Sequence, residues 1–407
     1  MEIPTGYDNP NGEYVLKLKC NFYGLADANL TWFEHCRKGL QNRGFIPSNI
    51  DPCLFYKEGM ILLIYVDDCI VFAKSRKLLD DFIASMKRPD PKSNKKYPYP
   101  DNGFDFTTED NVEKFLGVEI SKSKDHITIR QPHLIERIIK AIGFEDKDVH
   151  SKLTPLTGIL HKDEDDEARK DNWNYRSLIG MLNYLSSTTR PDIMMAVHQC
   201  ARFCESPRLS HEKAVKRIVK YLIGTQHIGI HAQVDKGKGL EAYADSDFAG
   251  FWTKLDPSNI ENIFSRTGYI IYYQLVPITW CSKLQTRIAL SSTEAEYTAL
   301  SKCLRDVIPA MNLIDEISKN LDANTSKPKI KCRLYEDNES CIKIAKAPVL
   351  TPRTKHIALE YHHFRKYVED GSIALEPIRT NKQNADLLTK PVEDPQYTHL
   401  RKKLNGH

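Results

Sequence analysis

Residues 61–73 read ILLIYVDDCIVFA, two apolar runs that flank a pair of adjacent aspartates, Asp67 and Asp68. Runs of this kind predict two strands that are buried on at least one face and joined by a tight turn. The two carboxylates would then lie together at the hairpin tip, where each opposes ionisation of the other unless a cation is near. Oxygen ligands of this type suit Mg²⁺. An ordinary hairpin turn, in which Asp is a favoured residue, explains the same pair at least as well.

The composition is that of an ordinary globular protein. At roughly 150 residues per domain, 407 residues predict two or three domains. Charged residues make up 28% and hydrophobic residues 41%, which excludes disordered, collagen-like and coiled-coil proteins. No apolar run approaches the ~18 residues of a membrane span, and we expect no secretory signal and no membrane partner. The ten cysteines include no CxxC pair, which favours reduced thiols in an intracellular protein.

The periodicity along the chain predicts a mixed α/β (α+β) fold. The expected strands are 14–19, 60–66, 69–74, 112–120 and 126–130, and the expected helices are 30–43, 77–86 and 132–142. Residues 173–224 are predicted to be mainly helical, and the pattern after residue 239 is strand, strand, strand, helix, strand, helix. Loops are expected at 87–103, 161–169, 235–239 and 322–329. These breaks predict domains at 1–150, 151–235 and 236–392, followed by a tail at 393–407.

Acidic residues recur at the ends of predicted elements in the last domain. Asp245 ends a predicted strand, and Asp337 lies between a strand and a helix, where ligand sites tend to form in α/β sheets. Asp386 falls in the first turns of a terminal helix. Helix capping or a favourable position in the helix dipole is the alternative explanation for Asp337 and Asp386.

The predicted helix after residue 290 contains two glutamates with different expected roles. Residues 291–294 read SSTE, a capping box, so Glu294 is expected to serve the helix start. Glu296 shares a helix face with Ala299, Leu300 and Cys303. A glutamate on an inward face is costly unless it is paired or binds a cation, so Glu296 is the candidate functional residue.

The hairpin and its surroundings resemble the reverse transcriptases of copia-type LTR retrotransposons. Tyr65-Val66-Asp67-Asp68 is similar to their palm motif, and Phe115-Leu116-Gly117 is similar to their primer grip. Further segments that resemble the family are 23–25, 49–55, 175–180 and 190–193. The resemblance covers essentially the whole chain. It implies the C-terminal part of a Pol polyprotein: a palm and fingers remainder at 1–150, a helical thumb and connection at 151–235, and a ribonuclease H-like mixed-sheet domain at 236–392.

The resemblance implies a polymerase site that is incomplete in this chain. Asp67 and Asp68 would bind Mg²⁺, with template RNA, a DNA primer and deoxynucleotides as partners. The family's third aspartate precedes a segment that resembles residues 1–7, so we expect the chain to be truncated at its N-terminus and to lack that residue. Asp8 lies in a Tyr-Asp-Asn-Pro loop and is no substitute. Residues 26–29 (ADAN) also depart from the family's Lys-Gln-Ala-Pro-like stretch near the incoming nucleotide.

The second acidic set resembles the ribonuclease H fold in its copia-type form. The segments that carry this likeness are 290–297 (LSSTEAEY) and Lys355-His356-Ile357. The resemblance implies that Asp245, Glu296, Asp337 and Asp386 bind two Mg²⁺ ions, with Mn²⁺ as a substitute. The implied reaction is hydrolysis of the RNA strand of an RNA–DNA hybrid, inside the cell, in cytoplasmic virus-like particles or in the nucleus. A non-catalytic nucleic-acid-binding remnant is the alternative.

Two further sequence patterns are weaker evidence of a functional site. The spacing of His198, Cys200 and Cys204 matches no common zinc finger, and the segment reads as a packed helix. Basic residues follow one face of a helix at Lys213, Lys216, Arg217 and Lys220. They fit phosphate binding or a solvated helix face equally well.

We expect no primer extension by residues 1–407, because two carboxylates without a third do not complete the polymerase site. The measurement is deoxynucleotide incorporation on a primed RNA template with Mg²⁺. Template-dependent incorporation that is abolished by Asp67→Asn would contradict this expectation.

Overall fold

The computed structural model describes residues 24–88, 103–145, 148–162, 166–250, 252, 262–321, 330–347 and 362–406. The contacts divide the chain into two compact units. The first consists of Met1–Asn111 and Asn312–Pro328, and the second of Val112–Met311 and Lys329–His407. The predicted strand at 14–19, Asp8, the loop at 322–329 and the His356 motif lie outside the described residues.

The first unit contains the predicted hairpin in an antiparallel sheet. Its helices are α1 (Ala28–Asn42) and α2 (Arg76–Lys87), and its strands are β1 (Ile46–Pro47), β2 (Leu54–Lys57), β3 (Met60–Tyr65) and β4 (Asp68–Ala73). The strands are paired in the order β1-β2-β3-β4. Alternate residues of β3 are buried, namely Met60, Leu62 and Ile64, as a strand with one buried face requires. The predicted helices at 30–43 and 77–86 and both hairpin strands are confirmed.

The second unit begins with a small antiparallel sheet and a group of helices. The strands are β5 (Lys114–Phe115), β6 (Val118–Lys122), β7 (Ile127–Arg130) and β8 (Ile230–Ala232), in the order β5-β6-β7-β8. The helices are α3 (Pro132–Ala141), α4 (Tyr175–Thr188), α5 (Met194–Ala201) and α6 (Leu209–Gly224). The pairing with 126–130, the helix at 132–142 and the helical region at 173–224 agree with the sequence patterns. The single strand predicted at 112–120 is wrong, because the turn at Leu116 and Gly117 divides it into β5 and β6.

A five-stranded mixed sheet follows in the same unit. Its strands are β9 (Leu240–Asp247), β10 (Arg266–Tyr273), β11 (Val276–Leu284), β12 (Cys332–Glu336) and β13 (Ile373–Pro377). The order is β11-β10-β9-β12-β13. The pairs β9–β10 and β10–β11 are antiparallel, whereas β12 is parallel to both β9 and β13. The carboxyl ends of β9 and β12 therefore lie at the same edge of the sheet.

Helices complete this part of the chain. They are α7 (Ser292–Leu321), α8 (Glu339–Lys346), α9 (Arg365–Glu369), α10 (Asp386–Thr389) and α11 (Gln396–Leu404). The mixed α/β fold expected from the sequence is confirmed. Among the described helices, none has the length and apolar character needed to cross a membrane.

One apolar core joins the helices of the second unit to the mixed sheet. It includes side chains from α4, α6, β10, α10 and α11, such as Leu182, Leu222, Ile270, Leu388 and Leu400. The boundaries predicted at 150, 235 and 392 all fall inside this compact unit. The predicted tail at 393–407 contains α11, which is held because Tyr397, Leu400 and Leu404 are buried.

A buried ion pair connects distant segments of this core. Arg190 and Asp192 flank Pro191 at the start of a short 3-10 helix, and both side chains are fully buried. Nη2 of Arg190 lies 2.8 Å from Oδ2 of Asp192, and Nη1 donates to the Thr225 carbonyl at 3.0 Å. Tyr221 of α6 donates to the Asp192 carboxylate at 2.5 Å, and Tyr397 of α11 donates to the Asp192 carbonyl at 3.0 Å. The pair thereby ties the 3-10 helix to α6 and α11.

The charges of this pair are balanced inside the protein. Burial raises the pKa of Asp192, but the charge and hydrogen bonds of Arg190 outweigh burial and hold that pKa below its ordinary value. A carboxyl group whose pKa is lowered on folding stabilises the folded state above its unfolded pKa, and this contribution is lost as the pH falls. The pair is therefore intact at neutral pH.

We expect Asp192→Ala to lower the free energy of unfolding by about 3–5 kcal/mol at pH 7, because it leaves the Arg190 charge buried and unpaired. The measurement is denaturant unfolding followed by circular dichroism. Glu167→Ala is the matched control, since Glu167 and Lys170 form an exposed pair 3.2 Å apart. Loss of such a pair costs about 1 kcal/mol or less. Equal losses in the two variants would contradict the importance of the buried pair.

Candidate metal centre

The first unit places Asp67 and Asp68 on the surface at the hairpin tip, as predicted. The chain reverses at Val66 and Asp67, and Tyr65 is paired with Asp68. Val66 has φ of +54°, a left-handed conformation that is strained for a β-branched residue. Nε1 of Trp32 in α1 donates to the Val66 carbonyl at 3.0 Å and so supports this turn. Among the described residues, one cluster of three acidic side chains could hold a metal ion, and that cluster lies in the second unit.

The predicted primer-grip segment forms a second strained turn. Leu116 and Gly117 connect β5 to β6, with φ of +50° and +73°. Positive φ at both central residues of a two-residue hairpin favours Asn-Gly or Gly-Gly, so a leucine is unusual there. The hydroxyl of Tyr184 in α4 donates to the Leu116 carbonyl at 2.7 Å. This hydrogen bond holds the strained turn against a helix.

Three of the four acids predicted in the last domain meet at the edge of the mixed sheet. Asp245 near the end of β9, Glu296 in α7 and Asp337 after β12 each offer an oxygen atom, and these atoms lie within 4.8 Å of one another. The parallel pairing of β9 and β12 brings the two aspartates together, since it aligns the carboxyl ends of their strands. The structure thus brings three of the four predicted residues together at one edge of the sheet.

The start of α7 separates the roles of its two glutamates. Ser291 Oγ accepts from the Glu294 N–H at 3.2 Å, and Glu294 accepts from the Leu290 N–H at 2.7 Å. Glu294 therefore serves the helix start, as predicted. Glu296 is only 8% exposed and lies beside fully buried Leu300. The capping interaction fixes the helix, and the helix in turn aims Glu296 inward.

Capping does not explain Asp337 or Asp386. Asn338 is the residue that caps α8, because its side chain accepts from the Cys341 N–H at 2.9 Å. Asp386 is the first residue of α10, and no side chain caps that helix. Side-chain capping is therefore not supported at either position, whereas Asp386 does lie in the first turn of α10, where the helix dipole favours a negative charge.

The electrostatics of the site favour binding of a cation. Burial raises the pKa of Glu296 well above its ordinary value, and the charges of Glu336, Asp245 and Asp337 raise it further. Burial also raises the pKa of Asp245. Oε2 of Glu296 is buried and has no hydrogen-bond partner among the described residues. An unpartnered carboxylate oxygen inside a protein is costly, and a divalent cation at this position would satisfy it. The donor set consists of carboxylate oxygens, which fit Mg²⁺ or Mn²⁺.

Asp386 lies beside the group of three but is held by a lysine. Oδ1 of Asp386 is 2.9 Å from Nζ of Lys390, four residues later. Burial and the charge of Asp245 raise the pKa of Asp386 to about 6, although Lys390 opposes the rise. Thr389 donates a hydrogen bond to Oδ2 of Asp245, so this short segment contacts two of the four acids.

Two acids next to the site were not among the predicted residues. Glu336 is fully buried, its Oε1 accepts from the Asn338 N–H at 3.1 Å, and burial raises its pKa well above the ordinary value. Asp247 lies on the same face of β9 as Asp245 and opposite Arg266 in the strand register. The signal for both was the period of two along a strand, which places Glu336 with buried Leu334 and Asp247 with Asp245.

The remaining candidate residues have structural roles. Lys216 pairs with Glu212 at 2.7 Å, and Arg217 donates to Thr154 at 3.0 Å. These contacts favour the structural explanation of the basic helix face over phosphate binding. Cys200 is fully buried, and in the described ranges it does not join His198 and Cys204 in a metal-binding group.

The chain resembles known proteins over both units. Residues 1–157 match the family model described as reverse transcriptase (RNA-dependent DNA polymerase). The chain is 30% identical to the retrovirus-related Pol polyprotein from transposon RE1 of Arabidopsis thaliana, over 99% of this chain and 26% of that protein. It is 31% identical to the corresponding polyprotein from transposon TNT 1-94 of Nicotiana tabacum, over 100% of this chain and 29% of that protein. The chain thus spans between a quarter and a third of the length of these relatives.

A shorter relative is covered almost completely. A transposon Ty5-1 protein of Saccharomyces cerevisiae is 30% identical over 75% of this chain and 94% of its own length. Among solved structures, LC11-RNase H1 in complex with an RNA/DNA hybrid is 15% identical, with a TM-score of 0.26 over 37% of this chain and 93% of that one. The chain belongs to the copia-type retrotransposon Pol family, within the reverse transcriptases.

We expect Glu336→Gln to stabilise the protein at pH 8. A carboxyl group whose pKa is raised on folding favours the folded state at low pH and opposes it as the pH rises through the raised pKa. Glutamine keeps an acceptor for Asn338 and removes the buried charge. The thermal midpoint should rise by about 2 °C or more at pH 8, the change that ~1 kcal/mol produces in a domain of this size.

The difference in thermal midpoint between Glu336→Gln and the parent protein should decrease as the pH falls towards 4.5, the ordinary pKa of glutamate. The measurement is thermal unfolding at a series of pH values. Glu339→Gln is the control, because Glu339 is exposed in the same segment and should leave the midpoint unchanged. A gain for Glu336→Gln that is independent of pH would contradict a buried charge as its cause.

Proposed function

We propose that this chain is a metal-dependent ribonuclease H that hydrolyses the RNA strand of an RNA–DNA hybrid. The observation that carries the proposal is the meeting of Asp245, Glu296 and Asp337 within 4.8 Å, with Asp386 beside them. We assign this activity to the module at 236–392. RNA-directed DNA synthesis leaves the template RNA paired with new DNA, so a hydrolase joined to a reverse transcriptase meets this substrate.

The carboxylates supply the chemistry that such a reaction needs. Two divalent cations, Mg²⁺ or Mn²⁺, would activate water and neutralise charge on the attacked phosphate. Asp245, Glu296 and Asp337 would hold one cation, and Asp386 would contribute to holding the other. Glu296 provides the buried oxygen that lacks a hydrogen-bond partner in the described residues. Thr389 fixes the orientation of the Asp245 carboxylate through its hydrogen bond.

Template-directed DNA synthesis is a second candidate function. It is favoured by the strained Val66 turn, which holds Asp67 and Asp68 at the hairpin tip under the Trp32 hydrogen bond. Strained backbone of this kind concentrates at functional sites. We propose DNA synthesis as an activity of the complete polymerase site of the family, and ribonuclease H activity for this chain. We further propose that the chain acts in cytoplasmic virus-like particles or in the nucleus.

We expect the full chain to cleave the RNA strand of a labelled RNA–DNA hybrid in Mg²⁺, and Asp245→Asn or Glu296→Gln to lower the rate at least about 100-fold. Each of these oxygens contributes several kcal/mol of charge stabilisation through the cations it binds, and 1.36 kcal/mol corresponds to a factor of ten. The measurement is the single-turnover cleavage rate, resolved on a denaturing gel.

Glu294→Gln is the matched control, because Glu294 lies two residues from Glu296 and accepts from the Leu290 N–H at the start of the helix. Its rate should stay within a few-fold of the parent chain. Undiminished cleavage by both Asp245→Asn and Glu296→Gln would contradict the assignment of this site to ribonuclease H activity. Binding of the hybrid without cleavage in either Mg²⁺ or Mn²⁺ would favour the non-catalytic remnant instead.

A further inference from the structure

The four acids of the metal centre are not equivalent in the structure. Asp245, Glu296 and Asp337 already form a group in which the ligand oxygens lie within 4.8 Å of one another. Asp386 is outside that group, and its Oδ1 lies 2.9 Å from the ammonium of Lys390. Three ligands are therefore prearranged, whereas the fourth is engaged by a cation that belongs to the chain.

The backbone that carries Asp386 and Lys390 is fixed. Leu387, Leu388 and Thr389 are buried, and the segment packs tightly against β10. A Cβ atom at Gly268 would lie only 2.6 Å from Cγ2 of Thr389, so no larger residue fits at that contact. Thr389 also donates to Asp245. Asp386 is therefore held in place together with the backbone around it.

The side chain of Lys390 is the more exposed member of the pair. It is 39% exposed, whereas the side chain of Asp386 is 3% exposed. Its long stem lets the ammonium turn into solvent without movement of α10. Lysine side chains carry a positive charge at neutral pH.

A divalent ion and this ammonium compete for the same oxygen. Mg²⁺ binds carboxylates at about 2.0–2.1 Å, close enough that a cation on Oδ1 of Asp386 would repel Nζ of Lys390 strongly. We propose that Lys390 is a positioning residue that orders metal binding. The first divalent ion binds at Asp245, Glu296 and Asp337, and the second binds at Asp386 only after the Lys390 ammonium has left Oδ1.

This inference rests on the proposed metal centre and gives its two ions different affinities. Lys390 contacts Oδ1 of Asp386 directly and acts on Asp245 and Glu296 through its charge, so it weakens binding of the second ion more than binding of the first. Replacing the lysine with a neutral side chain should therefore strengthen the second binding step much more than the first. A general loss of positive charge would instead strengthen both steps alike.

The test is Mn²⁺ binding to the full chain, measured by the electron paramagnetic resonance signal of free Mn²⁺ during a titration without nucleic acid. We expect two binding steps in the parent protein. Lys390→Met should tighten the second step at least about tenfold and the first step by a smaller factor. Lys390→Arg keeps the charge and should leave the second step weak.

Lys382→Met is the matched control, since it removes an exposed lysine from the same segment, and both of its steps should equal those of the parent. A first binding step in each variant also shows that the variant is folded. The proposal is overturned by an unchanged second step in Lys390→Met, by equal tightening of both steps, or by a single step in all proteins. Absence of any Mn²⁺ binding by the parent would overturn the proposed function and this inference together.

Discussion

Parallel pairing of β12 with β9 is the constraint on which the metal centre depends. The register aligns Cys332 with Leu240 and Tyr335 with Tyr243, so the two strands end at the same edge of the sheet. Asp245 and Asp337 then meet although 92 positions separate them in the sequence. An antiparallel partner beside β9 would have sent Asp337 to the opposite edge. The connection between the two strands includes α7, and this helix brings Glu296 close to both aspartates.

Local signals predicted most of the fold. Ser75 accepts from the Leu78 N–H, and Ser291 accepts from the Glu294 N–H, so both helix starts that carry a serine cap lie where the sequence places them. Alternating apolar residues identified β3 correctly. What the sequence could not show was β8, whose three residues pair with β7 about 100 positions earlier. A strand this short has no periodicity of its own, and only its distant partner defines it.

Local sequence patterns also predict only part of the acidic site in the second unit. Strand ends led to the prediction of Asp245 and Asp337, and the apolar helix face led to that of Glu296, because each residue has a local pattern. Glu336 and Lys390 also had local signals, the period of two in β12 and the spacing of four from Asp386. Their significance depends on neighbours that the sequence does not place. Strain at Val66 and Leu116 was equally hidden, since nothing in either residue type favours a left-handed backbone.

The second unit contains two groups of buried charge with opposite consequences. Arg190 and Asp192 neutralise each other, and hydrogen bonds from Tyr221 and Tyr397 satisfy the carboxyl and carbonyl oxygens of Asp192. The acids at the sheet edge have no such balance, because several carboxyl groups share one lysine and burial raises their pKa values. Removing one partner of the balanced pair would leave a buried, unpaired charge, whereas the unbalanced negative charge already opposes folding until a cation binds. The acids at the sheet edge therefore lower the stability of the folded state in the absence of a cation, as the proposed metal centre requires.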